Sequence, residues 1–167
     1  MTFYARLPGY GKSEDNISSQ DKFYSDVRAV YDQLKVGYRE DSMIILGYSI
    51  GTGAATWLAA QSKARLLILQ APYYNLSDMV RHYYPILPPF LLKYKFETNK
   101  FLPQCKMPVV VFHGDADGVI YYGSSVKLSK LFKEKDTLVT LPGGGHNGMS
   151  ERQDYQETFK QLLRKNF

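Results

Sequence analysis

Short apolar runs recur along the chain, separated by stretches in which apolar side chains have helical spacing. Most of the runs are continuous, as is typical of strands buried on both faces of a parallel sheet. The five predicted strands are Phe3–Ala5, Met43–Leu46, Leu66–Leu69, Val109–Phe112 and Leu138–Leu141. This alternation predicts the α/β fold class, with a mostly parallel sheet of about five strands and flanking helices.

Four helices are predicted between and after these strands, from apolar residues at helical spacing or, at Ala54–Ala60, from a high content of helix-forming residues. Either Ser18 or Ser19 is expected to cap the first helix through its hydroxyl. The helices are marked by Phe23, Val27, Val30, Tyr31 and Leu34, by Ala54–Ala60, by Leu128, Leu131 and Phe132, and by Tyr155, Phe159, Leu162 and Leu163.

The region of residues 72–108 interrupts the alternation. It holds six of the eight prolines and a cluster of Tyr, Leu and Phe residues. Connections of this length commonly form lids or binding loops, so a lid-like insertion is predicted within a single domain spanning residues 1–167. The alternative is a surface excursion of short helices without a function.

Composition narrows the class of protein. The 167 residues are 44% hydrophobic and 22% charged, as in one ordinary globular domain. No apolar run approaches the roughly 18 residues of a membrane span, and the amino terminus lacks the pattern of a secretory signal. The single cysteine, Cys105, excludes an intramolecular disulfide and fits a reducing compartment. A cytoplasmic location is therefore predicted.

The net charge of +5 would permit binding to anionic partners, but the basic residues are scattered. No zinc-finger, RRM or helix-turn-helix pattern is present, so no nucleic-acid partner is predicted. The glycines near residues 51–53 and 143–145 lack the rest of a dinucleotide or phosphate-binding motif. One cysteine and three separated histidines give no metal-ligand spacing, so neither a metal nor a cofactor is predicted.

The strongest local motif is Gly47-Tyr48-Ser49-Ile50-Gly51, a G-x-S-x-G sequence with a predicted strand before it and a helix after it. In this setting a sharp turn exposes the serine hydroxyl, and both flanking glycines are expected because a Cβ would collide with neighbouring backbone. Ser49 is the candidate nucleophile. The Ile50 N–H, at the amino end of the helix, is the candidate donor to an oxyanion.

A serine nucleophile needs a base, and the base needs a carboxylate that orients it. His146 is the favoured base because Gly143, Gly144 and Gly145 precede it in a loop after the last strand. His82 is interpreted as a surface or packing residue within the insertion. His113, which follows a predicted strand and precedes a glycine, is expected to shape a turn.

Two aspartates compete for the role of the acid, since both follow the strand at Val109–Phe112. Asp117 lies deeper in its loop and is followed by apolar residues that could anchor it. Asp115 is the alternative, with a turn-forming role as its simpler interpretation. Asp136 precedes the last strand and is interpreted as a turn residue.

Four stretches resemble motifs of the α/β-hydrolase superfamily, in the expected order: Gly9–Ser13, Gly47–Gly51, His113–Ile120 and Gly144–Asn147. The chain is most similar to the short-lidded group related to serine aminopeptidases, prolyl oligopeptidases and protein depalmitoylases. The resemblance implies that Asp117 is the acid. It also implies a serine hydrolase that cleaves an ester, thioester or amide, with a small-molecule or acyl-peptide substrate.

The sequence also differs from complete members of this superfamily. Complete members have three earlier strands and an HG-type loop that supplies half of the oxyanion hole, so the sequence is expected to be truncated at its amino end. Arg6-Leu7-Pro8 stands where members usually carry an Asp and an Arg. Alternative functions are therefore a weakly active or inactive fragment and a non-catalytic binding module. The expected substrate-pocket residues are Tyr48, Tyr73, Leu87, Phe90 and Val119.

Overall fold

A computed structural model describes residues 19–87, 92 and 94–166 of the chain. Within these residues, four parallel strands form one sheet in which spatial order follows chain order. The strands are β1 (Ile44–Tyr48), β2 (Leu66–Gln70), β3 (Val109–Gly114) and β4 (Thr137–Leu141). The α/β class with a parallel sheet is thus confirmed, and the predicted strand Phe3–Ala5 lies outside the described residues.

Six α-helices in the described part of the chain connect and flank these strands. They are α1 (Gln20–Gly37), α2 (Gly51–Ala60), α3 (Leu76–Tyr83), α4 (Thr98–Phe101), α5 (Gly123–Ser129) and α6 (Gln153–Asn166). Short 3-10 helices accompany them at Glu40–Ser42, Leu102–Gln104 and Met149–Glu151. Ser19 caps α1, since its hydroxyl oxygen accepts a hydrogen bond from the Lys22 N–H at 3.0 Å. Of the two predicted capping residues, the structure therefore selects Ser19.

The core lies on both faces of the sheet, because alternate side chains of each central strand point in opposite directions. On one face, Leu67 and Val109 pack with residues of α1, α2 and α5. On the other face, Ile68 and Phe112 pack with Tyr155 of α6. The central strands are consequently buried throughout their apolar runs, as predicted.

The two outer strands depart from the prediction of continuous burial. In β1, Ile45 is buried whereas Leu46 is 47% exposed, and β4 is mostly half-buried or exposed. Each has a sheet neighbour on one side only among the described residues. The strands also extend further than predicted at their carboxyl ends, to Tyr48 in β1 and Gly114 in β3, because main-chain pairing continues past the apolar run.

The region of residues 72–108 contains α3, α4 and a 3-10 turn, with residues 88–91 and 93 outside the described part. Asp78 anchors α3 to α5, because it accepts hydrogen bonds from the Tyr121 hydroxyl and from Lys127 Nζ. His82 is exposed and stacks on the Tyr121 ring at a centroid distance of 3.7 Å. No helix in the described ranges is long and apolar enough to cross a membrane.

Candidate active site

Ser49 occupies a sharp turn between β1 and α2. Its φ of 51° is in the left-handed region, which non-glycine residues seldom adopt. Hydrogen bonds hold this conformation: the Ser49 N–H donates to the Gln70 carbonyl at 2.9 Å, and the Ser49 carbonyl accepts from Thr52. The turn leaves the Ser49 hydroxyl at the carboxyl edge of the sheet, where the ends of β1, β3 and β4 also converge.

The two glycines that flank the serine differ in what they require. A Cβ at Gly47 would lie 2.6 Å from Ala55 Cβ and 2.9 Å from Thr52 Cα, so glycine is needed for α2 to pack against β1. At Gly51 an added Cβ would meet nothing within 4 Å among the described residues. The expected collision therefore holds at Gly47, whereas the described residues leave room for a Cβ at Gly51.

His146 lies in the loop after β4, beside the serine. Its Nε2 is 3.0 Å from Ser49 Oγ, and its Nδ1 is 2.8 Å from Asp117 Oδ2. The loop reaches this position because Gly143 adopts a φ of +66° and Gly144 packs directly on Gly114 at the end of β3. The imidazole is nearly buried, with 11% of the side chain exposed.

Asp117, and not Asp115, contacts the histidine. Asp117 Oδ1 accepts hydrogen bonds from the N–H groups of Val119 at 2.8 Å and Ile120 at 2.9 Å, which leaves Oδ2 for His146. Asp115 is exposed and accepts a hydrogen bond from the Gly143 N–H at 2.6 Å, so it supports the loop that carries His146.

Burial alone would raise the pKa of Asp117, but hydrogen bonds from His146, Ile120 and Val119 outweigh it and hold the pKa below its usual value. The group is therefore a carboxylate at neutral pH. A carboxylate only accepts hydrogen bonds, so His146 Nδ1 carries a hydrogen towards Asp117 and Nε2 is free to accept the Ser49 proton. This series of contacts has the geometry of a serine activated by a histidine base.

The Ile50 N–H lies directly after the serine, where the chain enters α2. Ile50 has helical torsion angles (φ −56°, ψ −30°) and is the cap residue of α2. Its N–H donates to no acceptor among the described residues. A free N–H at a helix amino terminus is a suitable donor to a developing negative charge beside Ser49.

The expected pocket residues occupy different environments. Leu87 and Val119 are exposed by 50% and 54%, while Phe90 lies outside the described residues. Tyr73 is 1% exposed, and its hydroxyl donates to the Ile50 carbonyl at 3.1 Å. Tyr73 thus packs beneath the turn as part of the core.

Tyr48 supports the histidine loop, a role that the motif alone did not indicate. Its hydroxyl lies 3.0 Å from the His146 carbonyl oxygen and 2.8 Å from Asn147 Oδ1. These contacts join the last residue of β1 to a loop almost a hundred residues later. The sequence signal was only a tyrosine beside the serine, since the pairing depends on how the two loops approach.

His113 has a contact that its expected turn-shaping role did not include. It is fully buried within β3, and its Nε2 lies 3.2 Å from Asp117 Oδ2.

The thiol of Cys105 is buried as well, and that burial raises its pKa to about 12, so it offers no competing nucleophile. The described residues include no group of three or more metal-ligating side chains that could hold a metal ion.

Known proteins resemble the chain in both sequence and structure. The profile of a family described as serine aminopeptidase, S33, matches residues 5–104. Alpha/beta hydrolase domain-containing protein aho-3 of Caenorhabditis elegans is 27% identical over 157 residues, which is 93% of this chain and 46% of that protein. Alpha/beta hydrolase domain-containing protein 17B of Homo sapiens is 27% identical over 157 residues, covering 93% and 53%.

Among solved structures, Est1E from Butyrivibrio proteoclasticus with bound ferulic acid superposes with a TM-score of 0.74 at 22% identity. The match covers 96% of this chain and 74% of that one, and it shows a common fold. The chain spans about half the length of the curated relatives it matches. Because the family profile covers more than half of the sequence, the chain belongs to the serine aminopeptidase S33 family of the α/β-hydrolase superfamily.

Proposed function

We propose that the protein is a serine hydrolase that cleaves an ester, thioester or amide through a covalent acyl-enzyme. One observation carries this proposal: His146 bridges Ser49 Oγ, at 3.0 Å, and Asp117 Oδ2, at 2.8 Å. Both distances are within the hydrogen-bond reach required for proton transfer and for orientation of the base. Membership of the α/β-hydrolase superfamily supports the same reaction class.

In the acylation half-reaction, Ser49 Oγ attacks the acyl carbonyl carbon while His146 Nε2 takes the hydroxyl proton. The carbonyl oxygen becomes an oxyanion, and the Ile50 N–H donates a hydrogen bond to it. Collapse of the tetrahedral intermediate breaks the bond to the leaving group, which receives the proton from His146. Asp117 remains a carboxylate and stabilises the transient imidazolium.

Deacylation repeats these steps with water as the nucleophile. His146 takes a proton from water, the resulting hydroxide attacks the acyl carbon, and a second tetrahedral intermediate forms. When it collapses, Ser49 Oγ leaves and regains its proton from His146. The products are a carboxylic acid and the regenerated enzyme, so the proton balance closes on the same histidine in both halves.

We further propose that residues 72–108 form a lid and that the substrate carries an apolar group. The α3 helix lies next to the loop that holds Asp117, since the Tyr83 hydroxyl is 3.5 Å from the Gly118 carbonyl oxygen. The residues that follow α3 are apolar and exposed, with Ile86 exposed by 95% and Leu87 by 50%. Exposed apolar side chains that follow a helix next to the loop of the proposed acid are suited to an acyl chain or an apolar side chain of the substrate.

A fluorophosphonate probe tests the proposed chemistry, because it reacts covalently with an activated serine and releases fluoride. We expect the wild-type chain to be labelled on Ser49, and labelling to be lost in Ser49→Ala and strongly reduced in His146→Ala. Ser150→Ala is the matched control, since Ser150 is an exposed serine near the histidine loop and should not affect labelling. Absence of labelling in the folded wild type, or equal labelling of Ser49→Ala, would refute the proposal.

A further inference from the structure

His113 is a second histidine in contact with the proposed acid, at the same carboxylate oxygen that His146 contacts. It lies near the carboxyl end of β3, and its side chain has no exposure to solvent. Its Nδ1 is 2.6 Å from Ser125 Oγ, and its Nε2 is 2.9 Å from the Ile120 carbonyl oxygen. The same Nε2 is 3.2 Å from Asp117 Oδ2. The reaction steps proposed above assign no part to this buried group.

These contacts fix the tautomer of His113. Both neighbours of Nε2 are acceptors, a carbonyl oxygen and a carboxylate oxygen, so Nε2 carries the hydrogen. Nδ1 then accepts a hydrogen bond from the Ser125 hydroxyl. Burial lowers the pKa of His113 although Ile120 and Asp117 act in the opposite direction, so the ring is neutral at pH 7.

His113 holds Asp117 by two routes. The direct route is the Nε2–H beside Oδ2, the oxygen that also faces His146. The indirect route passes through Ile120, whose carbonyl accepts from His113 and whose N–H donates to Asp117 Oδ1 at 2.9 Å. Four donor groups therefore surround the two carboxylate oxygens, and each restricts rotation of the carboxylate. They are the N–H groups of the His113 ring, the His146 ring, and the Val119 and Ile120 main chain.

We infer that His113 is a positioning residue that fixes the Asp117 carboxylate in the orientation needed to hold His146. This inference rests on the proposed function for its effect on turnover. The other charged or titratable groups near the ring are Asp117, His146 and Tyr122, whose ring centroid is 5.7 Å away. Since His113 contacts neither substrate nor reacting atoms in the proposed mechanism, it acts only through Asp117.

Two amide substitutions, His113→Gln and His113→Asn, distinguish a positioning role of His113 from a role in packing alone. The amide nitrogen of His113→Gln can reach the place of Nε2 and donate a hydrogen bond, whereas the shorter His113→Asn places its amide near the position of Nδ1. Val109→Ala is the matched control, because Val109 is a fully buried residue at the opposite end of the same strand. The substrate is p-nitrophenyl acetate, and kcat, KM and their pH dependence are measured.

We expect His113→Asn to lower kcat about tenfold with KM within about twofold, as for loss of a hydrogen bond to a charged group. Without the Nε2 donor the Asp117 carboxylate is no longer held in one orientation towards His146. The acid limb of the kcat/KM profile should therefore differ from that of the wild type. His113→Gln should retain kcat within about threefold of wild type, and Val109→Ala should leave both kcat and the acid limb unchanged.

Proton NMR of the resting protein provides a readout that needs no turnover. The downfield signal of the hydrogen between Asp117 and His146 should shift in His113→Asn and remain in place in His113→Gln. If wild type turns over no ester but this shift occurs, the proposed function fails while the positioning role stands. The inference would be overturned if His113→Asn had the kcat, the acid limb and the downfield signal of the wild type. It would also be overturned if His113→Asn, His113→Gln and Val109→Ala had equal effects.

Discussion

We predict that the close contact between Gly114 and Gly144 holds the loops of the proposed acid and base together. Gly114 ends β3 just before the acid loop, and Gly144 lies two residues before His146. A Cβ built on Gly114 would lie 2.1 Å from the Gly144 carbonyl oxygen and 2.4 Å from its carbonyl carbon. Gly114 does not have a positive φ, so substitution by alanine acts through space and not through backbone strain.

The size of the effect follows from these distances. An ordinary contact between non-bonded atoms is about 3.5 Å, so Gly114→Ala must separate the two backbones by at least ~1 Å. Neither partner can rotate away, because the atoms in the way are main-chain atoms. Overpacking of this kind costs about 1–3 kcal/mol of stability. A displacement of about 1 Å in a catalytic group can lower the rate about 10²-fold.

The same displacement should weaken a second link between the loops, the hydrogen bond from the Ala116 N–H to the Gly144 carbonyl at 3.0 Å. We therefore expect Gly114→Ala to slow fluorophosphonate labelling about 10²-fold while the chain remains folded at room temperature. Labelling rates are measured by gel fluorescence over time, and stability by urea unfolding followed by circular dichroism.

Two alanine substitutions in the same loops serve as matched controls. At Gly118 and Gly145 an added Cβ would meet nothing within 4 Å among the described residues, and neither glycine has a positive φ. We expect both variants to label and unfold as the wild type does, within about 0.5 kcal/mol. Wild-type labelling and stability in Gly114→Ala would refute the reasoning, as would equal losses in the two control variants.

Two further predictions concern the residues that support the site. Tyr48→Phe removes the hydroxyl that contacts His146 and Asn147. The value of kcat should therefore fall about two- to tenfold without a matching rise in KM. A rise in KM alone would instead place Tyr48 in the substrate pocket. Folding lowers the pKa of both His113 and Asp117. Each group therefore contributes stability at pH values above its pKa in the unfolded chain, and this stability is lost as the pH falls below that pKa. Urea unfolding should therefore show stability decreasing below about pH 6.5 and again below about pH 3.9, by at most about 1.4 kcal/mol per pH unit for each group. His113→Gln should flatten the first decrease and Asp117→Asn the second, and an unchanged pH dependence in either variant would contradict the assignment.

Local patterns in the sequence predicted most of the architecture. The apolar runs at Leu66 and Val109 are continuous because central strands are buried on both faces, and that burial leaves a direct mark on the sequence. The turn at Ser49 was predictable for a similar reason, since strand, G-x-S-x-G and helix are contiguous in the chain. The exposure of Leu46 was not, because burial in β1 depends on what covers an outer strand.

The arrangement of the site needed the tertiary structure. Ser49 and His146 are 97 residues apart and meet only because the carboxyl ends of parallel strands share one edge of the sheet. From the residues alone Asp115 and Asp117 were both candidates, and the register of the loop after β3 decides which of them contacts His146.

The sequence by itself determined the class of fold, the strand–turn–helix unit that presents Ser49 and the short set of residues from which a base and an acid could come. These properties depend on periodicity and on neighbours within a few positions, which are written directly in the chain. Only the tertiary structure shows that a Cβ at Gly114 would collide with Gly144, that the described residues leave room for a Cβ at Gly51, and that His113 faces Asp117. Such contacts depend on distances of a few tenths of an ångström between segments far apart in sequence, and these are set by packing of the whole sheet and its loops.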